Sequence, residues 1–375
     1  EGSKGRGIGR YSLHLIRSLI RCGPQHEYVL FANGSLCNIR NEFQSEISSN
    51  QLEVSYCSWY SPDYKLLGST FQRSIRFLLR SYALSRLNCD VILLTSLFEG
   101  FSDRCAVNIE KSNKKIPTAV LFYDLIPLIN SQIYLEPNPL FTRFYYERLL
   151  DLERADCLLA ISNSSAEEAR AYLDIDRALV HNISSACDKT LFNPTPGPSS
   201  FSQKEEFGEY ILYSGAGDPR KNLSRLIKAY AQLPAQLLSK YKLILVGKLI
   251  PEEIRLIGCW SDECQLSTQN ILYLGYVSDE ELADLYRNCK LFILPSLHEG
   301  FGLPALEAMS CGAPVIGSNV TSIPEVIGIK EALFDPNDIY QISKLLELSL
   351  TDKQFYQELC KNSLERSRLF SWEKT

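Results

Sequence analysis

The sequence predicts an α/β protein with two Rossmann-like domains, each built on a mainly parallel sheet. Short apolar runs alternate with longer segments of helical period along all 375 residues, which is the pattern of repeated βα units. One stretch, FNPTPGPSSFSQKEE at 192–206, combines proline, glycine, serine and charge without a period and predicts a linker. We therefore expect a first domain at 1–190, a linker at 191–208 and a second domain at 209–360.

The apolar runs place the individual elements in order. In the first domain the predicted strands are 28–31, 90–95, 118–122, 157–161 and 178–182, and the predicted helices are 10–21, 70–86, 139–154 and 164–173. In the second domain the predicted strands are 210–213, 242–246, 271–274, 291–294 and 314–316, with helices at 222–232, 279–287 and 304–309. Ligands bind beyond the carboxyl ends of such strands, so we expect the chemistry in the loops that follow them, facing an interdomain cleft.

The first residues, EGSKGRGIGRYSLHLI, form a glycine-rich stretch that runs into a predicted helix. Backbone N–H groups and the helix dipole at such a place favour phosphate, so Gly7, Gly9 and Arg10 are candidate phosphate or acceptor contacts. A loop of this kind normally follows a strand, and no strand is predicted before it. Since Met309 is also the single methionine, we expect a piece of a longer protein whose first sheet lacks its first strand.

Composition excludes several classes of function. The net charge of −5 argues against a nucleic-acid binder, and no apolar run approaches the roughly 20 residues of a membrane-spanning helix. No charged-then-apolar leader is present, so we expect a cytoplasmic protein. The 12 cysteines are scattered without CxxC pairs, which predicts reduced thiols and no metal site.

The most informative stretch is LFILPSLHEGFGLPALEAMSCGAPVIG at 291–317. A buried strand is followed by a loop that carries Glu299, and Pro304 suits the first turn of a helix that carries Glu307. The N–H groups of Gly302 and Leu303 would lie at that helix start, where an anion is favoured. Two carboxylates on either side of such a start can bind the hydroxyls of a sugar and a ribose, while the amides between them bind phosphate.

Two further strand ends carry candidate residues. YSGAGDPRKN at 213–222 ends a strand and opens a helix with Arg220 and Lys221, cations that can stabilise a diphosphate leaving group. LFYDLIPL at 121–128 places Tyr123 and Asp124 just after a strand. The alternative for Asp124 is that it only caps a turn.

These motifs resemble the Glu-x7-Glu signature of retaining glycosyltransferase family 4, which has the GT-B fold. The resemblance extends from GIGRY through YDLIPL and DPRKNL to SLHEGFGLPALEAMSCGAPVIGSN, and is strongest to the mannosyltransferase-like branch of bacterial O-antigen, lipopolysaccharide and polysaccharide biosynthesis. SLFEGF at 96–101 also has counterparts in that branch. Relatives continue from FSWEKT into a helix that crosses back onto the first domain, so 361–375 would begin this crossover segment.

The resemblance implies a role for each matching residue. Glu307 would bind the donor ribose and Glu299 would lie near the donor sugar, while Lys221 and Arg220 would neutralise the diphosphate. Family members often have arginine at the position of Ala216, so Arg220 would be a substitute for it. Further donor contacts are expected from Phe301, Gly302, Leu303, Gly215, Asn319 and Tyr276, with His298 and Thr321 beside them. Tyr123 stands where many members have histidine.

The implied reaction is the transfer of a hexose, with mannose favoured, from a nucleotide-diphosphate sugar to a growing, lipid-linked glycan, with retention of configuration. No metal or other cofactor is implied, and GDP-mannose is the expected donor. The alternative is a non-catalytic GT-B module of a larger glycan polymerase. The arginines and apolar groups of FQRSIRFLLRSYALSR at 71–86 suit the inner face of a bacterial plasma membrane or a lipid-linked acceptor, and the alternative is an ordinary amphipathic helix.

Overall fold

The computed structural model describes residues 7–34, 39–49, 52–60, 69–101, 105–109, 116–195 and 207–375. The chain divides into two compact units: Glu1–Ser184 together with Trp372–Thr375 forms unit 1, and Ser185–Ser371 forms unit 2. Both units have parallel sheets and flanking helices, which confirms the predicted α/β fold class. Most of the predicted linker, 196–206, lies outside the described residues.

Unit 1 contains two separate parallel sheets among its described strands. The first pairs β1 (Tyr28–Asn33) with β2 (Val54–Trp59). The second has the order β3-β4-β5-β6, formed by Ile92–Leu94, Thr118–Phe122, Cys157–Ala160 and Val180–Asn182. No described strand joins β1 to β3. That this domain lacks its first strand stays a prediction.

The helices of unit 1 precede or follow these strands. In chain order α1 to α7 are Gly7–Cys22, Gln44–Ile47, Ser69–Ser85, Ile126–Ile129, Ser131–Tyr134, Pro139–Leu152 and Asn163–Tyr172. Short 3-10 turns lie at Ile39–Phe43 and Arg177–Leu179. The core of unit 1 lies between the second sheet and its helices, where Val120, Phe122 and Leu158 are almost fully buried.

Unit 2 is a six-stranded parallel sheet with the order β12-β11-β10-β7-β8-β9. Its strands β7 to β12 are Glu209–Ser214, Tyr241–Val246, Ile271–Gly275, Leu291–Leu294, Val315–Ser318 and Leu333–Phe334. Its helices α8 to α15 are Leu223–Ala231, Ala235–Lys240, Pro251–Glu263, Asp279–Asn288, Leu303–Ser310, Ile323–Ile327, Ile339–Thr351 and Lys353–Ser367. Further 3-10 turns lie at Pro219–Lys221 and Lys330–Ala332. β10 is buried along its whole length, as expected for a parallel strand covered on both faces.

The start of α1 differs from the sequence expectation. Gly7 and Gly9 belong to the first turns of the helix, where a loop before the helix was expected. Glycine is tolerated in this position because a helix end gains most of its stability from packing, and Tyr11 and Leu15 of α1 are buried. Trp372 also packs on α1, with its ring 5.1 Å from that of Tyr11 and stacked on His14. No helix among the described residues is both long and apolar enough to cross a membrane.

Candidate active site

Most of the predicted donor residues lie in two loops that follow neighbouring strands of the unit 2 sheet, β7 and β10. From β7 the chain adds β8 and β9 on one side and then returns to β10 on the other side of β7. The loops after β7 and β10 therefore leave the sheet in opposite directions, and this switch point is where open α/β sheets bind ligands. We call residues 215–222 the β7 turn and residues 295–302 the β10 loop.

Short-range contacts fix the shape of the β7 turn. The N–H of Gly215 donates to the carbonyl of Val246 at 2.9 Å, and the buried Tyr213 hydroxyl donates to the carbonyl of Ala216 at 3.0 Å. A Cβ on Gly215 would lie 2.5 Å from that hydroxyl, so only glycine fits there without a shift. The Asp218 carboxylate then accepts a hydrogen bond from the N–H of Arg220 and caps the 3-10 turn that carries both cations.

The β7 turn and the β10 loop are bonded to each other. The N–H of Leu297 donates to the carbonyl of Arg220 at 2.7 Å. Asn222, buried and at φ +61°, donates through Nδ2 to the carbonyls of Pro295 and Pro336. Sequence reasoning missed Asn222; its signal is an asparagine at a helix start, where asparagine tolerates left-handed backbone.

Glu299 lies at the centre of a buried charge cluster. Its Oε1 is 2.5 Å from Lys221 Nζ and accepts a hydrogen bond from the Ser296 hydroxyl at 2.6 Å, and its Oε2 is 3.1 Å from Arg220 Nη1. Burial alone would raise the pKa of Glu299, but Lys221 and then Arg220 more than offset it and hold the pKa at about 2. The structure thus joins Glu299 to two predicted cations that lie 78 and 79 positions earlier in the chain. It adds Ser296, which sequence reasoning missed.

The rest of the β10 loop is held by its own neighbours. Thr321 Oγ1 accepts a hydrogen bond from the N–H of Glu299, and the Ser322 hydroxyl donates to the carbonyl of Glu299. His298 is buried, and its carbonyl accepts from Arg220 Nη1 at 3.0 Å. The ring of Phe301 packs edge-on against Phe370 at 5.7 Å. The loop is therefore a rigid support for the charge cluster.

The second carboxylate, Glu307, lies in α12 and is 5% exposed, so it is not a solvated helix residue. Its Oε2 is 3.4 Å from the hydroxyl of Tyr286, which is also 2.7 Å from Ser214 Oγ at the end of β7. Gly302 caps α12 with φ +102° and no side-chain cap. Pro304 has no N–H, and the N–H groups of Ala305 and Leu306 donate to the carbonyl of Gly302. The N–H of Leu303, at the first position of α12, has no acceptor within the helix.

Two predicted donor residues lie farther along the same edge of the sheet. Asn319 follows β11 and is exposed, with its N–H bonded to the carbonyl of Phe334. Tyr276 follows Gly275, which has φ +74°, at the end of the edge strand β9, and it is 73% exposed. The structure does not bring Tyr276 together with Glu299, because β7 and β8 both lie between their strands.

In unit 1 the predicted residues Tyr123 and Asp124 follow β4. The Tyr123 hydroxyl donates to the carbonyl of Thr95 and lies 3.0 Å from Ser12 Oγ in α1. The Tyr123 carbonyl accepts from the Ser165 hydroxyl at 2.6 Å. Asp124 Oδ1 accepts from the N–H of Ile126, so the turn-capping contact exists. Arg10 lies in α1.

Comparisons with known proteins agree with this geometry. The family model described as Glycosyltransferase Family 4 matches residues 5–190, and that of Glycosyl transferases group 1 matches residues 199–366. The chain is 36% identical to the serotype-specific mannosyltransferase WbdA of Escherichia coli, covering 100% of this chain and 45% of WbdA. It is 32% identical to the E. coli O-antigen chain mannosyltransferase B, covering 98% of this chain and 93% of that protein. The chain thus spans less than half the length of WbdA.

Solved structures show the same fold. Anabaena HepE in complex with UDP and glucose superposes with a TM-score of 0.70 at 19% identity, covering 98% of this chain and 93% of HepE. WaaG, a glycosyltransferase involved in lipopolysaccharide biosynthesis, superposes with a TM-score of 0.67 at 15% identity over 98% of this chain and 93% of WaaG. The structural matches show the GT-B fold, and the family-model and sequence matches show that the chain belongs to glycosyltransferase family 4.

Proposed function

We propose that this chain transfers a hexose, with mannose favoured, from a nucleotide-diphosphate sugar to a growing glycan with retention of configuration. The observation that carries the proposal is the buried cluster of Lys221, Arg220 and Glu299 at the switch point of the unit 2 sheet. Arg220 and Lys221 both contact the buried Glu299 carboxylate, and the more exposed Asp218 lies 3.7 Å from Arg220 Nε. The two cations are thereby held where a diphosphate would lie. The names of the relatives, two mannosyltransferases, support mannose as the sugar.

The proposed reaction needs position and charge more than a strong base. The acceptor hydroxyl oxygen forms a bond to the anomeric carbon on the face of the leaving group, and the bond from that carbon to the diphosphate oxygen breaks. The acceptor proton passes to the departing phosphate oxygen, and the nucleoside diphosphate leaves. Lys221 and Arg220 stabilise the charge that grows on the diphosphate, and the N–H groups at the start of α12 add to this.

We also propose the remaining donor contacts that the family resemblance implies. Glu307 would accept hydrogen bonds from the ribose hydroxyls, with Tyr276 and Asn319 towards the nucleotide, and GDP-mannose would be the donor without a metal ion. In unit 1, Tyr123 and Asp124 would belong to the acceptor side. Transfer should accordingly persist in excess EDTA, and a strict requirement for a divalent cation would contradict this account.

The test uses the 375-residue chain with GDP-mannose and a synthetic mannoside acceptor. Thermal shifts with GDP, UDP, ADP and TDP rank the nucleotides, because a ligand that binds only the folded state raises its stability. We expect GDP to give the largest shift, and a clear preference for UDP would contradict the mannose assignment. Glu307→Gln and Lys221→Ala should each abolish most turnover; if both leave transfer unchanged, the site is elsewhere, and nucleotide binding without transfer would favour a binding module.

We also propose a peripheral contact with an anionic membrane through α3. Leu78 and Tyr82, one helical turn apart, are 70% and 66% exposed, and the helix has no acidic residue. Arg80 does not take part, because it is buried and donates to the carbonyl of Asn108. The chain should sediment together with phosphatidylglycerol vesicles. The double variant Leu78→Ser, Tyr82→Ser should remain in the supernatant. Leu348→Ser, on exposed surface of α14 in unit 2, is the control.

A further inference from the structure

Unit 1 contains a second loop with almost the sequence of the β10 loop. SLFEGF at 96–101 and SLHEGF at 296–301 differ at one position of six. Each directly follows the carboxyl end of a parallel strand, β3 in unit 1 and β10 in unit 2. Residues 95–101 are called the β3 loop below.

The two loops share two side-chain contacts as well as their sequence, although the glycine after the glutamate has a positive φ in the β3 loop (Gly100) and not in the β10 loop (Gly300). The Ser96 hydroxyl donates to Glu99 Oε1 at 3.1 Å, as the Ser296 hydroxyl donates to Glu299 Oε1 at 2.6 Å. The closing phenylalanine is anchored edge-on to another ring in both: Phe101 lies 5.0 Å from Phe141, as Phe301 lies 5.7 Å from Phe370.

The backbone of the β3 loop requires a glycine after the glutamate. Gly100 has φ +103°, a conformation that side chains rarely adopt, and a Cβ there would lie 2.4 Å from the backbone oxygen of Cys105. The loop is therefore built to one shape, and this shape holds Glu99 at the carboxyl edge of the unit 1 sheet.

The charge around the two glutamates differs. Glu299 is buried against Lys221 and Arg220, whereas Glu99 is partly exposed and forms no ion pair with any described residue. The single hydrogen bond found for its carboxylate within the described ranges comes from Ser96, on Oε1. A carboxylate without cations repels phosphate and suits neutral hydroxyl groups, which donate charge-assisted hydrogen bonds to it.

Glu99 also lies beside Tyr123. The hydroxyl of Tyr123 donates to the carbonyl of Thr95, which immediately precedes Ser96. Burial raises the pKa of Tyr123 well above its ordinary value, and the charge of Glu99 adds to the rise. The β3 loop thus shares one edge of the sheet with the residue that we place on the acceptor side.

We propose that Glu99 binds hydroxyl groups of the acceptor sugar through its carboxylate. This inference rests on the proposed function, since it assigns the acceptor of the same reaction. The β3 loop and the β10 loop would then be one sequence motif used twice. Its glutamate has cations beside it in unit 2, for the donor diphosphate, and none among the described residues of unit 1, for a neutral glycan. The rival interpretation is that Glu99 only shapes its own loop through Ser96.

Glu99→Gln separates the two interpretations. The amide oxygen of glutamine still accepts from Ser96, so the loop keeps its shape, but the charge that strengthens hydrogen bonds from sugar hydroxyls is lost. We expect the KM for α-mannobiose to rise about 10-fold, the difference between a charged and a neutral hydrogen bond, while the KM for GDP-mannose and the melting temperature stay unchanged. The matched control is Glu136→Gln, an exposed turn glutamate that also accepts from a serine hydroxyl.

A second measurement keeps this test separate from that of the proposed function. Binding of α-mannobiose to the 375-residue chain is titrated by calorimetry with GDP present and no sugar donor, so that no transfer is needed. A 10-fold weaker Kd in Glu99→Gln, with Glu136→Gln at the native value, supports the inference even if GDP-mannose is not the donor. An unchanged Kd and acceptor KM in Glu99→Gln, or no binding of mannobiose to the native chain, overturns it.

Discussion

Removing the ammonium group of Lys221 tests whether the buried charge cluster is a unit. Lys221→Met keeps most of the aliphatic side chain and deletes the group that lies 2.5 Å from Glu299 Oε1. Lys221 and Glu299 are 8% and 7% exposed, so water cannot readily replace the lost partner. Ser296 and Arg220 remain in contact with the carboxylate.

The expected loss of stability follows from that geometry. Removing one partner of a buried ion pair typically costs about 3–5 kcal/mol, because it leaves a buried charge without compensation. Arg220 Nη1, 3.1 Å from Glu299 Oε2, still compensates part of the charge, so we expect a loss of about 3 kcal/mol in the free energy of unfolding. The double variant Lys221→Met, Glu299→Gln removes both charges and should recover about 2 kcal/mol of this loss.

Urea unfolding at pH 7 of the native chain, both single variants and the double variant measures this coupling directly. Stabilisation by GDP-mannose is measured on the same four proteins, and we expect it to be absent in the double variant even though folding is partly restored. A loss below about 1 kcal/mol in Lys221→Met is the value of an exposed ion pair, and it would refute the reasoning. If the stability losses of the two single variants simply add up in the double variant, Lys221 and Glu299 are not coupled.

Three further predictions concern the same unit. Since the pKa of Glu299 is about 2 in the folded chain, below its ordinary 4.5, ionisation of this carboxyl stabilises the fold above pH 4.5. That contribution disappears as the pH falls through about 2, so Glu299→Gln should flatten the urea stability profile across this window. Tyr213→Phe and Tyr230→Phe each lose a buried hydrogen bond to a carbonyl, of 3.0 and 2.7 Å, and each should cost about 1 kcal/mol of stability. Tyr213 supports the β7 turn, so Tyr213→Phe alone should raise the KM for GDP-mannose, by about 2- to 10-fold. If Tyr230→Phe changes this KM equally, Tyr213 does not position the β7 turn. Gly302→Ala forces alanine to φ +102° and should cost about 1–2 kcal/mol, whereas Gly258→Ala, in open space within α10, should gain up to about 1 kcal/mol in the same unfolding assay.

The fold was predictable where burial is uniform. β4 and β10 were placed at their observed bounds, because a parallel strand covered on both faces is a continuous apolar run. β2 was missed because its sequence, VSYCSW, mixes serine into an edge strand with one pairing partner. α10 was missed because Ile257 is its one buried residue, so its apolar period is weak.

The charged residues of the site were predictable from the sequence, but the residues that hydrogen-bond to them and to their loops were not. The spacing of Glu299 and Glu307 along the chain is visible in the sequence, as are the adjacent cations. Asn222 donates to the carbonyl of Pro295, 73 positions later, which comes close only through the order of β7 and β10 in the sheet. A contact over such a separation leaves no period or spacing in the sequence. Ser296 lies only three positions from Glu299, but a serine in a loop does not by itself indicate which group its hydroxyl contacts.

The two copies of the SLxEGF loop show that neighbours, rather than the loop itself, set the chemistry of its glutamate. In unit 2 the carboxylate of Glu299 contacts both Lys221 and Arg220, and Asp218 lies 3.7 Å from Arg220 Nε. Held in this way, the cations need no reorganisation when charge grows on a leaving diphosphate, which is where preorganised charge lowers a barrier. In unit 1 the same loop presents Glu99 without an ion pair among the described residues, which leaves a hydrogen-bond acceptor for neutral groups. The proposed transfer would need both, because its donor brings a diphosphate and the accepting sugar brings hydroxyl groups.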